Sequence, residues 1–135
     1  MAYTSAYTGL EIDAAVAAAG VAPTQTAIFT VTGTLAVGTG STRLYFNDAR
    51  IITKVRIGVG TAPTGANIIV DVNKGGTTIF TTQSGRPEIA ASGFTDESGT
   101  PDVTSLAAGD YLTVDIDQVG STVAGADLVV SVYYT

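Results

Sequence analysis

The stretch Ile68-Ile69-Val70-Asp71-Val72-Asn73-Lys74-Gly75-Gly76-Thr77-Thr78-Ile79-Phe80 decides the fold. Ile68, Val70 and Val72 alternate with Ile69 and Asp71, which is the period of a strand with one buried face. Asn73-Lys74-Gly75-Gly76 then supplies turn residues tolerant of positive φ, and Thr77 resumes an extended run. Two short apolar runs joined by such a turn predict a β-hairpin.

Working outward, the same period recurs along the chain. Phe29, Val31, Gly33, Leu35 and Val37 alternate with Ile28, Thr30, Thr32, Thr34 and Ala36. Ile51, Thr53, Val55, Ile57 and Val59 alternate with Arg50, Ile52, Lys54, Arg56 and Gly58, placing Arg50, Lys54 and Arg56 on one face. Leu112, Val114 and Ile116 alternate with Tyr111, Thr113, Asp115 and Asp117, and Leu128, Val130, Val132 and Tyr134 close the series. Residues 43–47 and 77–83 add two shorter strands. Residues 85–108 read as one long irregular connection. Only residues 8–20 have another period: Thr8 and Glu11 form a capping box, Gly20 and Pro23 end the element, and Ile12, Val16 and Ala19 make a narrow apolar stripe. So short a helix needs something to dock on, its own domain or its copies in an oligomer. The expectation is a mainly β chain, an antiparallel β-sandwich of jelly-roll type preceded by one short N-terminal helix. Residues 1–25 form an arm and residues 26–135 the sandwich.

Composition narrows the function. The 135 residues include no Cys, His or Trp, which removes thiol and imidazole catalysis and Cys/His zinc sites. Net charge is −6, only 13% of residues are charged against roughly 25% in an average domain, and mean hydropathy is +0.35. An acidic chain poor in Lys is badly suited to nucleic acid or an anionic membrane, and no apolar run approaches the ~18 residues of a span. A weakly charged, Thr/Val/Ala-rich surface suits a protomer covered by other subunits.

Motifs of chemistry fall short of their requirements. Asp115-x-Asp117-x-x-Gly120 opens like a calcium loop, but Val119 and Ala126 stand where ligands are needed, so no metal is expected. The glycines of residues 58–65 lead into a strand, whereas a phosphate loop opens a helix. Glu88, Asp96, Glu97 and Asp102 supply carboxylates for glycoside hydrolysis without a fixed geometry. No enzyme and no cofactor is expected. Charge is unevenly spread: four of the six basic residues lie between Arg43 and Arg56, and every charged residue after Arg86 is acidic. Either Arg50, Lys54 and Arg56 pair with Asp115 and Asp117 across neighbouring strands, or the two stripes meet between identical subunits, or the basic stripe grips an acidic partner.

Two segments carry a resemblance. Residues 59–80, from Val59-Gly-Thr-Ala-Pro63 through the hairpin to Phe80, are similar to a strand–hairpin–strand block of phage fibre and decoration modules, and residues 106–122, Leu106-Ala-Ala-Gly-Asp110-Tyr-Leu-Thr-Val-Asp-Ile-Asp-Gln-Val-Gly120-Ser-Thr, resemble its partner block. Thr8-Gly-Leu-Glu-Ile-Asp13-Ala-Ala-Val resembles, more weakly, the helical lead of some tail-fibre proteins. The resemblance is to structural proteins of tailed-bacteriophage virions. It implies a non-enzymatic, homotrimeric β-sandwich located on the virion, a capsid decoration or short head fibre whose partners are its own copies and the major capsid protein or another virion protein. Leu10, Ile12 and Val16 are then the anchoring or oligomer contacts. The alternative is a receptor-binding module, with Phe94 and Tyr111 as aromatic contacts to a host-surface glycan or protein.

Overall fold

The computed structural model describes residues 23–135. The predicted helix, with Leu10, Ile12 and Val16, lies outside the described residues. Eleven strands follow in order: β1 (Gln25–Thr34), β2 (Gly38–Thr39), β3 (Leu44–Tyr45), β4 (Arg50–Thr61), β5 (Ile68–Lys74), β6 (Thr77–Thr78), β7 (Glu88–Ile89), β8 (Thr95–Glu97), β9 (Ser105–Leu106), β10 (Tyr111–Gln118) and β11 (Ala126–Tyr134). One sheet runs β1-β11-β4-β8, with β9 also on β4. The other runs β2-β10-β5-β6, with β3 also on β10 and β7 on β5. All pairings are antiparallel, and the chain switches sheet at β1/β2, β3/β4, β4/β5, β7/β8, β9/β10 and β10/β11. This is a β-sandwich with jelly-roll-like strand exchange.

The inner faces interdigitate as the period demands. Val55, Ile57, Leu128, Val130 and Val132 from one sheet meet Ile68, Val70, Val72, Leu112 and Val114 from the other, all buried. Phe46, Phe80, Ile79, Ile89 and Leu106 close the ends. Each fully buried branched side chain contributes ~1.5–3 kcal/mol relative to exposure. The β5–β6 hairpin forms as predicted: Lys74 pairs with Thr77, and Gly75 and Gly76 hold φ of 57° and 89°, the two positive values a two-residue hairpin turn requires.

Three departures from the sequence reading matter. First, β4 carries a bulge: Lys54 pairs with Tyr133 but Ile52 with Tyr134, leaving Thr53 as an extra residue. A bulge reverses the facing of everything before it. Ile52 is therefore buried and Ile51 is 50% exposed, opposite to strict alternation. Second, residues 85–108 are not one irregular connection. A single 3-10 turn at Gln83–Gly85 precedes them, and β7, β8 and β9 stitch the segment onto both sheets. The buried Ser98 hydroxyl accepts the Val55 N–H at 2.9 Å within this stitching. Third, the runs at 43–47 and 77–83 shrink to two-residue strands, because Phe46 and Phe80 turn inward as end plugs.

Candidate functional site

The two outer faces of the sandwich differ in kind. On the β1-β11-β4-β8 sheet, Lys54 and Arg56 alternate with core residues Val55 and Ile57 and point outward. Both reach one carboxylate, Glu97 on β8, at 3.1 and 3.7 Å. The Lys54 ammonium also lies 5.3 Å from the Tyr133 ring. Between Arg56, Val129 and Thr95 the small residues Gly58 and Ser131 leave a shallow groove of about 200 Å³. Exposed Ile28 and Val129 continue this face toward β1.

Arg50 does not share that face. The Thr53 bulge places it with Ile52, where its guanidinium sits 5.8 Å from the Tyr134 ring and 3.4 Å from Asp48. Nor do the basic and acidic stripes pair within the molecule. Lys54 and Arg56 stand on one sheet, Asp115 and Asp117 on the other, with the core between them. The first of those alternatives, pairing across neighbouring strands, is thereby overturned.

The outer face of the β2-β10-β5-β6 sheet is acidic and densely hydrogen-bonded. Asp115 accepts the Gly40 N–H at 3.0 Å and the Asn73 amide at 2.8 Å. Asp117 is the extra residue of a second bulge, between Ile116 and Gln118, which aims it at Arg86 to form an ion pair. Asp71, directly across from Asp115, is only 6% exposed. It accepts the Thr78 hydroxyl at 2.7 Å and lies 3.5 Å from the Gln83 amide, pinning the chain after β6 over the sheet. Burial raises its pKa above the usual carboxylate range; the bonds from Thr78 and Gln83 oppose the rise and the charge of Asp117 adds to it. Two loop carboxylates behave oppositely. The Thr82 N–H lowers the pKa of Asp102, and the Ala107 N–H, aided by Lys74, lowers that of Asp110. Among the described residues no group of three or more His, Cys, Asp or Glu side chains is placed to hold a metal ion.

Phe94 and Tyr111 are not brought together. The Phe94 carbonyl accepts the Val59 N–H, while Tyr111 lies at the end where Lys74 reaches the Ser105 carbonyl and Ser105 pairs with Ile51. Eight strand residues separate Ile51 from Val59, roughly 26 Å. Tyr111 instead joins two residues that the sequence did not single out. Its ring is 5.3 Å from that of Tyr45, and the Arg43 guanidinium lies 4.5 Å above it. This partly exposed Tyr–Tyr–Arg cluster is the side-chain chemistry that protein interfaces favour.

Between the edges β1 and β2–β3 the sandwich gapes. There a cleft of about 330 Å³ has walls of Ile28, Phe29, Val31, Leu44 and Val114, with Arg43 at its rim. β1 is paired only on its β11 side among the described residues. A signal for this surface lies in the sequence: residues 14–42 contain no charged side chain. No family model and no curated protein matches the chain.

Proposed function

We propose that this protein is a non-enzymatic structural subunit of a tailed-bacteriophage particle, a homotrimeric capsid decoration or short head fibre that works by holding on to the virion surface. The observation that carries the reading is the open side of the sandwich, where the edge of β1, paired only with β11 among the described residues, and exposed Ile28 and Val31 line a largely apolar cleft with Arg43 at its rim. Such an edge invites pairing unless it is covered, and closed symmetry covers it in every copy. The segregation of Lys54 and Arg56 from Asp115 and Asp117 onto opposite faces supports contact between non-equivalent faces of neighbouring copies. The two segments that resemble phage modules also form one unit: the first supplies β5 and β6 and the second β10, with Val72 opposite Val114. Repeated weak contacts by three joined copies then give tight attachment.

Light scattering tests this. The expected solution mass is about three times the 13.6 kDa of the chain and holds on dilution to nanomolar concentration. A persistent monomer overturns the reading. The Tyr45–Tyr111–Arg43 cluster favours a second reading, a module that binds a host-surface glycan or protein. Under that reading soluble protein blocks adsorption of the particle to host cells, and Tyr111→Ala abolishes the block.

A further inference from the structure

We infer that residues 81–86 form a strap across the acidic sheet, tied down by three carboxylates, which lifts as a unit and uncovers Asp71 while the sandwich beneath stays folded. The strap lies on the acidic face that the proposed assembly uses. Its ties are all within one chain, so the inference goes beyond that reading and does not depend on it.

The two ends of the strap are fixed by burial and its middle is not. Phe80 and Pro87 are buried, whereas residues 81–85 are exposed, Arg86 is half-buried, and no apolar side chain stands among them. The 3-10 turn Gln83–Gly85 is closed from within. The Gly85 N–H donates to the Thr82 carbonyl at 2.9 Å, and the Arg86 N–H and Nε donate to the Gln83 carbonyl at 3.3 and 2.9 Å. Those bonds move with the strap. The bonds that leave it end on carboxylates of three different elements. The Thr82 N–H and hydroxyl donate to Asp102, between β8 and β9, at 2.7 and 3.3 Å. The Gln83 amide lies 3.5 Å from Asp71 on β5, and it also meets the Phe80 carbonyl and the Thr78 hydroxyl at the hinge, at 2.7 and 3.4 Å. The Arg86 guanidinium donates to Asp117 on β10. A segment that buries no apolar side chain gains backbone entropy on leaving, so these ties decide whether it stays.

Asp71 alternates with core residues Val70 and Val72 and so points away from the core, yet it is buried. The groups facing it are Thr78 from β6, Gln83 from the strap, and from β10 Asp115, directly across, and Asp117, whose own partner is Arg86. No cation pairs with Asp71 itself among the described residues. Closing the strap strips water from this carboxylate, and lifting it returns the water. Charge consequently acts on the strap in two directions. Burial holds the Asp71 pKa above the usual range, so its protonated form favours the closed strap, a contribution complete below the open-state value and lost as pH rises through the closed one. The Thr82 N–H holds Asp102 below that range, so its tie is complete above the open-state value and lost as pH falls through the closed one. The strap is tightest in the ordinary carboxylate range between the two and loosens on either side.

Amide exchange followed by NMR on the full chain, expressed as protection factors, tests this. The amides of Thr82, Gly85 and Arg86, all hydrogen-bonded in the closed strap, report its lifting, and those of β11 report the sandwich. Protection at the three should fall together about threefold or more between the ordinary carboxylate range and neutral pH, with β11 unchanged. The Asp71 carboxyl carbon shift should titrate with the same midpoint. In D71N the fall toward neutral pH should vanish. D117N and R86Q cut one tie from its two sides, and each should lower strap protection about tenfold across the range while sparing β11. The proposal is overturned if the three amides exchange only as fast as those of β11, if the fall persists in D71N, if the two midpoints differ, or if D117N and R86Q leave the strap unchanged. Light scattering on the same samples reads the oligomeric state separately, so the strap and the assembly can each fail alone.

Discussion

The Thr53 bulge can be tested through the two isoleucines that precede it. Strict alternation turns Ile51 inward, whereas the structure leaves it 50% exposed and buries Ile52 to 1%. Ile→Ala removes three carbons, worth ~2.4 kcal/mol of transfer free energy when fully buried. The cavity left among Ile52's neighbours raises the cost to ~3–4 kcal/mol. At Ile51 the same truncation removes about half the burial, at a cost of ~1 kcal/mol. The backbone bonds between Ile51 and Thr135, 3.0 and 2.9 Å, survive the change. With ~4 °C per kcal/mol for a domain of this size, Ile52→Ala should lower Tm by about 12–16 °C and Ile51→Ala by about 4 °C. Calorimetry and urea titration measure both. If Ile51→Ala cost as much as Ile52→Ala, β4 would run without the bulge, Arg50 would rejoin Lys54 and Arg56, and its placement beside Tyr134 and Asp48 would fail.

Three other outcomes are expected. Gly40→Ala would set a Cβ 1.9 Å from the Val114 carbonyl oxygen and strain the Gly40–Asp115 hydrogen bond, costing about 2–4 kcal/mol; an unchanged urea midpoint would remove that close approach. The pKa of Asp71 is raised in the folded state, so its protonation stabilises the fold, a contribution complete below the unfolded pKa and lost as pH rises through the folded value. Asp71→Asn should therefore raise Tm at pH 7, with the gain disappearing in acid below the normal Asp range; a loss at pH 7 would mean that the Thr78 and Gln83 bonds outweigh desolvation. Asp102 and Asp110 have the opposite sign, contributing stability above the unfolded pKa that is lost as pH falls through their lowered folded values. In D102N/D110N the acid limb of a Tm–pH profile should be shallower, and an unchanged limb would show that their N–H bonds do not act in folding.

Much of this protein is legible in its sequence because period-two patterning is local. The inward residues of β5, β10 and β11, the hairpin closed by Gly75 and Gly76, and the sandwich class all follow from which residues alternate and where turn formers interrupt them. The lack of Cys and His likewise removes whole classes of chemistry before any folding is considered. What alternation does not contain is the point at which it fails. The bulges at Thr53 and Asp117 arise because a partner strand supplies one residue fewer than its neighbour, a count set by distant segments. Those two insertions decided that Arg50 leaves the face of Lys54 and that Asp117 meets Arg86. The burial of Asp71 and the separation of Phe94 from Tyr111 are likewise products of how the chain crosses from sheet to sheet. Local pattern determined which side chains alternate, and the pairing of remote strands decided what each of them faces.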